Sequence, residues 1–308
     1  MSKPSNILVI KLSALGDFIQ AFGAMRAIKA HHSDASITLL TTKSYAQLAE
    51  KSGYFHHIII DERPKLFQIK KWFNLTQILN AKRFSRVYDL QYNDRTSIYF
   101  KLFIKKPEWV GIAKNASHRN VTTDKNTTPA FNRHKQTLSL AGIEKIKIDK
   151  LEWIESDISH FYLKDPHALI IAGSAPSRPE KRWDATHYAD LCKKLIEQGI
   201  QPILLGTKSE KNVTDKIQIL CPKVINLTEK TSLFDIIALA RTAIFAIGND
   251  TGPMHMIAPT GCQTLVLFSK HSNPIQSKPL GENVRILQKD NINNISVDEV
   301  LENINTTL

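Results

Sequence analysis

The feature that most constrains the fold is an alternation of short apolar runs with segments of helical length. The first run, NILVIKL at 6–12, is rich in β-branched residues, and the apolar spacing of the stretch after its short loop suits a helix. A second β-type run follows at 35–42, after an interval that a helix would fill. This pattern predicts a βαβ unit with a parallel sheet.

The alternation is interrupted near the middle of the chain and then restarts. Periodicity relaxes between 151 and 166, and a buried-type strand, HALIIAG, follows at 167–173. We therefore expect an α/β fold with two Rossmann-like domains, residues 1–160 and 161–308, facing a central cleft. Ligands of open α/β sheets bind beyond the carboxyl ends of the strands, so the functional residues should lie there.

Basic residues are concentrated in the first domain. The formal net charge is +12, and residues 63–135 hold 16 Lys or Arg against 4 Asp or Glu. Such a surface suits a polyanion, whether nucleic acid, an anionic membrane face or a phosphorylated glycolipid, or it only aids solubility. Within it, the polar stretch 113–136 predicts a surface loop. The segment KLFQIKKWF at 65–73 indicates either a peripheral membrane contact or an amphipathic core helix.

Export and disulfide bonding are not predicted. The start MSKPSNILVIKLS lacks the apolar run of a signal peptide, and no stretch approaches about 20 uninterrupted apolar residues, so we expect a cytoplasmic protein. The cysteines Cys192, Cys221 and Cys262 are odd in number and widely spaced, which argues against a disulfide framework or a zinc site. They are expected to be small buried side chains.

Three loops that follow predicted strands form the candidate site. They are SALGD at 13–17, GSAPSRPEKRW at 173–183 and GNDTGPMH at 248–255. Small residues allow a ligand to approach the backbone closely, and helix N-termini offer free N–H groups that suit phosphate. The small residues in question are Ser13, Gly16, Gly173 and Ser174. Two or three such loops could hold a pyrophosphate.

Four side chains in these loops could carry chemistry, and each also has a purely structural interpretation. Asp17 could be a general base, or it could cap the helix that follows it. Lys181 could neutralise a diphosphate leaving group, or it could be an ordinary surface lysine. Asp250 and His255 could contact a ligand, or they could cap and pack the helix that begins near Pro253.

Several common motifs are missing from the sequence. No GxGxxG follows the first strand, which weakens a dinucleotide-binding dehydrogenase, and no GxxxxGK[ST] is present for a P-loop nucleotidase. No Asp-x-Asp pair is available to hold a metal on a nucleotide-sugar. We therefore expect no metal and no cofactor, and a diphosphate site made of helix ends and a lysine.

The segments IKLSALGDFIQAFGAMRAIKAHH, KRW and GNDTGPMHMIAPTG together resemble glycosyltransferase family 9, the lipopolysaccharide heptosyltransferases. The resemblance spans both domains. It implies a GT-B fold and a metal-independent, inverting transfer of heptose from ADP-L-glycero-D-manno-heptose. The implied acceptor is the Kdo–lipid A inner core, or a heptose already on it, bound mainly by the first domain.

The resemblance also implies roles for individual residues. Asp17 matches the catalytic base, Asp250 matches the carboxylate that faces the donor sugar, and Lys181 and Ser177 match groups that contact the donor phosphates. The residues that match the phosphate-binding turn and the nucleoside pocket are Thr251, Gly252, His255, Glu210 and Thr231. The chain departs from the family pattern after its last core strand, where it has LFSKHSNP.

Three other functions remain open from the sequence. A nucleotide-sugar epimerase shares the two-domain architecture and would convert the donor without an acceptor. A nucleic-acid-binding protein would account for the pI of about 9.5, and its affinity would fall steeply with salt. A catalytically silent binding module would leave the residues suited to chemistry without a use.

Overall fold

A computed structural model describes residues 5–121, 127–174 and 177–305. The chain divides into two compact units, Met1–Asp149 and Lys150–Leu308. Each unit has its own parallel sheet and its own core, so the two are described one at a time.

The first unit is a six-stranded parallel sheet with helices between most of its strands. Its strands are β1 (Asn6–Ile10), β2 (Ser36–Thr41), β3 (His57–Ile60), β4 (Arg86–Asp89), β5 (Glu108–Gly111) and β6 (His118–Arg119). Its helices are α1 (Leu15–His31), α2 (Lys43–Ser52), α3 (Ile69–Ala81), α4 (Asp94–Leu102) and α5 (Ala130–Ser139). The strand order is β3-β2-β1-β4-β5-β6.

The second unit repeats this arrangement. Its strands are β7 (His167–Ile171), β8 (Gln201–Leu204), β9 (Ile225–Asn226), β10 (Phe245–Asn249), β11 (Gln263–Ser269) and β12 (Val284–Lys289). Its helices are α6 (Ala185–Glu197), α7 (Lys211–Leu220), α8 (Leu233–Thr242), α9 (Gly252–Ile257), α10 (Pro274–Ser277) and α11 (Val297–Asn305). The strand order is β12-β11-β10-β7-β8-β9.

The two sheets share one topology, which decides where a ligand can bind. In each, the chain starts at a central strand, builds outward on one side and then crosses to the other side. The strand order therefore reverses between β1 and β4, and again between β7 and β10. Ligands bind beyond the carboxyl ends of the strands at such a reversal. The loops after β1, β7 and β10 all begin there, as predicted.

The cores explain why the central strands have no polar face. Helices cover both faces of the second sheet, so that Trp183 and Tyr188 are buried on one side and Met254 and Phe268 on the other. In the first unit the side chain of Trp109 is fully buried. Strands covered on both faces appear in the sequence as near-continuous apolar runs, and the predicted α/β fold with two Rossmann-like domains is confirmed.

The boundary between the units lies earlier in the chain than the predicted boundary between 160 and 161. The segment that begins at Lys150 packs on the second sheet. The guanidinium of Arg241 donates hydrogen bonds to the carbonyls of Leu151 and Ile154, and Phe161 packs against the second core. The relaxed sequence pattern does not reveal these contacts, because they depend on residues about 90 positions away.

The prediction of a surface loop over 113–136 is partly wrong. The strand β6 and the helix α5 lie in this stretch, and residues 122–126 are outside the described part. Helix α5 packs on α1 and buries Phe131, His134 and Leu138. Tertiary packing therefore stabilises a helix whose own sequence gives only a weak helical pattern.

No helix in the described ranges is long and apolar enough to cross a bilayer. The three cysteines are buried and free, as predicted.

Candidate active site

The loop after β1 is held in place by Gln91, which follows β4. Its side-chain oxygen accepts hydrogen bonds from the backbone N–H groups of Leu12 at 2.8 Å and Ser13 at 3.1 Å. Asp17 is the third residue of α1 and is exposed, and Ala14, the residue before the helix, provides no side-chain cap. The carboxylate therefore lies beside the uncapped N-terminus of α1, within reach of a ligand.

Two aromatic residues flank this carboxylate. Phe18 stacks on Tyr45, with ring centroids 4.7 Å apart. Burial raises the pKa of the Tyr45 hydroxyl, while the nearby charge of Arg63 lowers it and that of Asp17 raises it. Asp17 and Arg63 thus both act electrostatically on one phenol.

A buried ion cluster that the sequence analysis did not identify lies below the loop. Lys11 is almost completely buried, and its Nζ donates to the carbonyl of Leu90 at 3.1 Å. Burial lowers the pKa of this ammonium, and the charges of Asp17 and Asp89 oppose that shift. The only indication of this cluster in the sequence was Lys11, a charged residue near the end of an otherwise apolar run.

Asp89 is the buried carboxylate of this cluster. It accepts a hydrogen bond from Thr96 Oγ1 at 2.8 Å and one from the backbone N–H of Gln91 at 3.0 Å. Burial raises the pKa of the Asp89 carboxyl to about 6, although these hydrogen bonds and the charge of Lys11 act in the opposite direction.

Tyr92 and His134 complete the polar cluster of the first unit. The Tyr92 hydroxyl and His134 Nδ1 are 2.8 Å apart. Burial lowers the pKa of His134 well below its ordinary value, with the charges of Lys11 and Arg133 adding to the effect. The imidazole is therefore neutral at physiological pH. Within the described residues, its Nε2 has no hydrogen-bond partner.

In the second unit the structure brings two predicted residues together. Lys181 Nζ donates to Asp250 Oδ2 at 2.8 Å, and the side chains are 19% and 8% exposed. Lys181 ends a 3₁₀ turn after β7, whereas Asp250 directly follows β10. The reversal of strand order between β7 and β10 explains why residues 69 positions apart meet.

Asn249, the last residue of β10, is a structural element of this site that the sequence analysis missed. Its Oδ1 accepts from the backbone N–H of Trp183 at 3.1 Å and from the Tyr188 hydroxyl at 3.0 Å. Its Nδ2 donates to the carbonyls of Ala172 at 2.8 Å and Gly173 at 3.2 Å. One fully buried amide therefore joins the two loops that carry Lys181 and Asp250.

The loop after β7 is partly described, because Ala175 and Pro176 lie outside the described residues. Ser174 is buried, and its Oγ donates to the carbonyl of Arg178 at 3.1 Å and accepts from Arg182 Nε at 3.0 Å. Its hydroxyl thus stabilises the loop itself. Ser177 is exposed on the same loop.

Gly173 and Glu210 are in close contact. A Cβ atom on Gly173 would lie 2.2 Å from Glu210 Cγ, so only glycine fits at the end of β7 without a shift. The Glu210 carboxylate accepts a hydrogen bond from the Thr207 backbone N–H at 2.8 Å in a capping box. Thr231 is half-buried in the turn between the edge strand β9 and α8, further from the reversal point.

The turn after β10, which is predicted to bind phosphate, is formed by Thr251 and Gly252. Helix α9 begins at Gly252, and Thr251 makes no side-chain cap hydrogen bond to it. The backbone N–H of Gly252 therefore has no acceptor within the helix and follows Asp250 closely in the chain, whereas Pro253 has no N–H and the N–H of Met254 donates to the Thr251 carbonyl at 3.2 Å. His255 is buried within α9, at 8% exposure.

A cavity of about 360 Å³ opens beside the 3₁₀ turn that ends at Lys181. It is lined by Arg182, by Lys270 and His271 from the loop after β11, and by residues 290–293 after β12. Lys270 and His271 belong to the segment in which the chain departs from the family pattern. Among residues 5–121, 127–174 and 177–305, no group of three or more His, Cys, Asp or Glu side chains is arranged to hold a metal ion.

The geometry suits a diphosphate in the second unit and a proton acceptor in the first. A lysine paired with a residue that precedes a helix N-terminus can neutralise charge on a leaving diphosphate. An exposed carboxylate can remove a proton from a hydroxyl. Glycosyl transfer from a nucleotide-sugar needs a group of each kind.

Comparisons with curated proteins give a consistent result. The chain is 24% identical over 289 residues to the lipopolysaccharide core heptosyltransferase OpsX of Haemophilus influenzae, a match that covers 90% of this chain and 82% of the relative. It is also 24% identical over 308 residues to lipopolysaccharide heptosyltransferase 2 of Escherichia coli, covering 92% and 87%.

Solved structures show the same fold. E. coli ADP-heptose LPS heptosyltransferase II matches with a TM-score of 0.77 and 21% identity, covering 98% of both chains. A family 9 glycosyltransferase from Veillonella parvula matches with a TM-score of 0.84 and 21% identity, covering 99% and 98%. E. coli heptosyltransferase WaaC, solved with ADP-2-deoxy-2-fluoro heptose, matches at 0.73 and 16% identity, covering 98% and 100%.

Two more distant structures bear on the alternatives. The iron-containing dodecameric glycosyltransferase TibC of E. coli matches with a TM-score of 0.61 at 13% identity, covering 98% of this chain and 76% of TibC. The UDP-GlcNAc 2-epimerase of Methanocaldococcus jannaschii matches at 0.60 and 13%, covering 97% and 92%. At these identities the likeness concerns the fold alone.

The family model of glycosyltransferase family 9 (heptosyltransferase) matches residues 72–304, which includes most of the first unit after β3 and nearly all of the second. The chain has the GT-B-type α/β fold of this family, and it is a transferase enzyme. The fold, the loops at the points of strand reversal and this match agree, and the chain belongs to glycosyltransferase family 9, the heptosyltransferase family.

Proposed function

We propose that this enzyme is an inverting, metal-independent glycosyltransferase that moves heptose, or a closely related sugar, from an ADP-activated donor to the inner core of lipopolysaccharide. The observation that carries the proposal is the Lys181–Asp250 pair, joined through Asn249 at the uncapped start of α9. The heptosyltransferase relatives act on lipopolysaccharide, and WaaC was solved with an ADP-heptose analogue.

In the proposed reaction, Asp17 takes the proton of an acceptor hydroxyl as that oxygen attacks the anomeric carbon of the donor. The new C–O bond forms on the face opposite the departing group, so the anomeric configuration inverts. The bond between the sugar and ADP breaks, and its electron pair leaves with the diphosphate. Lys181 and the backbone N–H of Gly252 neutralise the developing charge.

The remaining donor residues have supporting roles in this proposal. Asp250 keeps Lys181 oriented and faces the sugar hydroxyls, while Ser177 and Thr251 contact the phosphates. Glu210 and Thr231 belong near the nucleoside, and His255 supports the turn from within α9. The first domain binds the acceptor, whose anionic groups suit the excess of positive charge in 63–135.

We also infer that the enzyme works in the cytoplasm, in peripheral contact with the inner membrane, because its acceptor is anchored in a lipid bilayer. No metal takes part in the proposed reaction. Activity that is unchanged after dialysis against EDTA supports this part of the proposal, whereas activity that is lost with EDTA and restored by iron or magnesium contradicts it.

The first test is thermal stability of the purified protein with ADP, UDP, GDP and CMP in turn. A ligand at about 100 times its Kd stabilises the folded state by roughly 2.7 kcal/mol, so the preferred nucleotide should raise the melting temperature clearly. Selective stabilisation by ADP supports the proposed donor. Selectivity for another nucleotide discards ADP-heptose, and a lack of response to all of them argues against any nucleotide-sugar donor.

An acceptor assay separates the transferase from its alternatives. Incubation with ADP-heptose and Kdo–lipid A should increase the acceptor mass by one heptose. The fold is also similar to that of a UDP-GlcNAc 2-epimerase. An epimerase would change the donor in the absence of any acceptor. A nucleic-acid-binding protein would do neither and would bind DNA or RNA with an affinity that falls steeply with salt.

A further inference from the structure

The segment between β3 and α3 carries a group of apolar side chains that the fold leaves in solvent. The exposed fractions are 85% for Leu66, 76% for Phe67, 76% for Ile69 and 63% for Phe73. We call these four residues the β3–α3 surface. Large apolar side chains so close together and so exposed indicate an interaction site rather than ordinary surface composition.

The apolar character of this surface is not needed for folding. Helix α3 contacts the core of the first unit through Leu75 and Leu79, which are buried, and through Trp72, whose ring lies 5.9 Å from that of Tyr99. Ile69 and Phe73 are four residues apart and lie together on another face of the helix. Polar residues at these two positions would leave the core contacts of α3 intact.

Lysines flank the exposed apolar residues. Lys65, Lys70 and Lys71 are all exposed, and Lys65 Nζ lies 6.0 Å from the ring centre of Phe67. The carboxylate of Glu62, in the same segment, pairs with Lys71 at 2.7 Å. Aromatic and aliphatic side chains ringed by lysines suit the interface of an anionic lipid bilayer, where apolar groups insert below the headgroups and the charges stay at phosphate level.

The segment is anchored at its start. Asp61 follows β3, is buried, and accepts hydrogen bonds from the Tyr99 hydroxyl at 2.6 Å and from the backbone N–H of Arg63 at 2.7 Å. Arg95 donates to the carbonyl of Pro64 at 3.1 Å. The exposed side chains therefore project from a fixed base rather than from a free loop.

The base of the β3–α3 surface lies at the same edge of the first sheet as the candidate catalytic carboxylate. Strands β1 and β3 are parallel members of one sheet, and both the β3–α3 segment and the loop that carries Asp17 leave their carboxyl ends. Arg63 and Asp17 also act on the same phenol, that of Tyr45. An acceptor held in a bilayer at this surface would lie at the edge of the sheet that carries Asp17.

We propose that the β3–α3 surface docks the enzyme on an anionic membrane, with Leu66, Phe67, Ile69 and Phe73 inserted and the lysines bound to lipid phosphates. The docking surface stands on its own geometry. Its role in presenting a lipid-linked acceptor rests on the proposed function.

Vesicle binding of the full-length protein tests the proposal. We expect it to sediment with phosphatidylcholine vesicles that contain about 30% phosphatidylglycerol and to bind pure phosphatidylcholine vesicles at least tenfold more weakly. About 0.5 M NaCl should release the protein, because salt screens the lysines. Leu66→Ser combined with Phe67→Ser should reduce partitioning at least tenfold. Lys65→Gln combined with Lys70→Gln should reduce it about 30-fold on anionic vesicles, since each lysine contributes about 1 kcal/mol.

Matched controls use equally exposed residues elsewhere. Ile219→Ser removes an apolar side chain that is 77% exposed in the second unit, and Lys145→Gln removes an exposed lysine from the first. Neither should change partitioning by more than twofold. The proposal is overturned if wild-type protein does not bind anionic vesicles. It is also overturned if the Leu66→Ser/Phe67→Ser variant binds them as well as Ile219→Ser does.

A second measurement separates this inference from the proposed function. Heptose transfer to a deacylated, water-soluble inner-core acceptor needs no membrane, so the Leu66→Ser/Phe67→Ser variant should retain wild-type activity on it and lose activity on vesicle-borne acceptor. Vesicle binding without transfer to either acceptor would refute the proposed function alone. A dimer that sedimentation velocity detects in wild type but not in this variant would assign the surface to a second copy of the chain, and would overturn the membrane proposal.

Discussion

Asn249 accepts a hydrogen bond from the backbone N–H of Trp183 at 3.1 Å, and through this contact the loop after β10 holds the loop after β7. The same oxygen accepts from the Tyr188 hydroxyl at 3.0 Å, while Nδ2 donates to carbonyls at the end of β7. All of these groups are buried, so none of them can form a hydrogen bond with water instead. One amide thereby fixes the place at which Lys181 and Asp250 meet.

We expect Asn249→Ala to be strongly destabilising. The substitution leaves the Trp183 N–H and the Tyr188 hydroxyl buried without an acceptor, which should cost about 2–4 kcal/mol in the free energy of unfolding. Urea denaturation measures this loss. Asn212→Ala, at an exposed position of α7, should change stability by less than about 0.5 kcal/mol. Equal effects of the two substitutions would show that the amide does not join the loops.

Lys181→Met should weaken ADP binding more than tenfold, about 1.4 kcal/mol, because it removes the cation that the proposed mechanism places against the diphosphate. It should also lower stability, since it leaves Asp250, which is 8% exposed, without its partner. Adding Asp250→Asn should recover the stability but not the ADP affinity. Calorimetric titration and thermal melts provide the two measurements, with Lys230→Met as the surface control. Unchanged ADP affinity in Lys181→Met would leave the lysine with a structural role only.

Asp17→Asn should reduce heptose transfer at least a thousandfold, because the amide cannot accept the acceptor proton. The side chain is exposed, so the fold and the thermal shift caused by ADP should be unchanged. A single-turnover assay, which follows chemistry rather than product release, is the appropriate measurement. Substantial residual turnover would remove Asp17 from the mechanism. A large fall in melting temperature would instead indicate that it serves mainly the N-terminus of α1.

Asp89 should make stability depend on pH. Burial raises its pKa to about 6, so the folded chain holds the proton more tightly than the unfolded chain, whose aspartates titrate near pH 4. The stability from this group is therefore full below about pH 4 and is lost as the pH rises towards 6, by up to about 3 kcal/mol. Urea melts at several pH values should show this loss as a difference: the stability of wild type relative to Asp89→Asn should fall between about pH 4 and 6, whereas its stability relative to the exposed control Asp34→Asn should stay constant. Parallel profiles for Asp89→Asn and wild type would mean that the carboxyl titrates normally.

The strands and the loops at their ends could be predicted because local pattern determines them. An apolar run followed by small residues indicates a buried parallel strand and its loop wherever it occurs, and the runs at 6–12 and 167–173 both became central strands. The positions of Lys181 and Asp250 at one edge followed from the same rule.

The contacts that hold the site could not be predicted, because their partners are distant in sequence. The hydrogen bonds of Asn249 reach back 61 to 77 residues, and the bond from Lys11 reaches 79 residues forward to Leu90. Helix α5 was missed for a similar reason, since packing on α1 stabilises it. A single sequence shows which residues can donate or accept, but not which of them will face one another.

The buried cysteines allow one half of the molecule to be observed on its own. Cys192, Cys221 and Cys262 all belong to the second unit, and the first unit has no cysteine. Burial raises the pKa of each thiol, that of Cys262 to about 12, so an alkylating reagent at neutral pH can react only when the surrounding structure opens. The labelling rate therefore reports how often the second unit opens, and a donor bound there, as proposed, should slow the labelling in proportion to its occupancy.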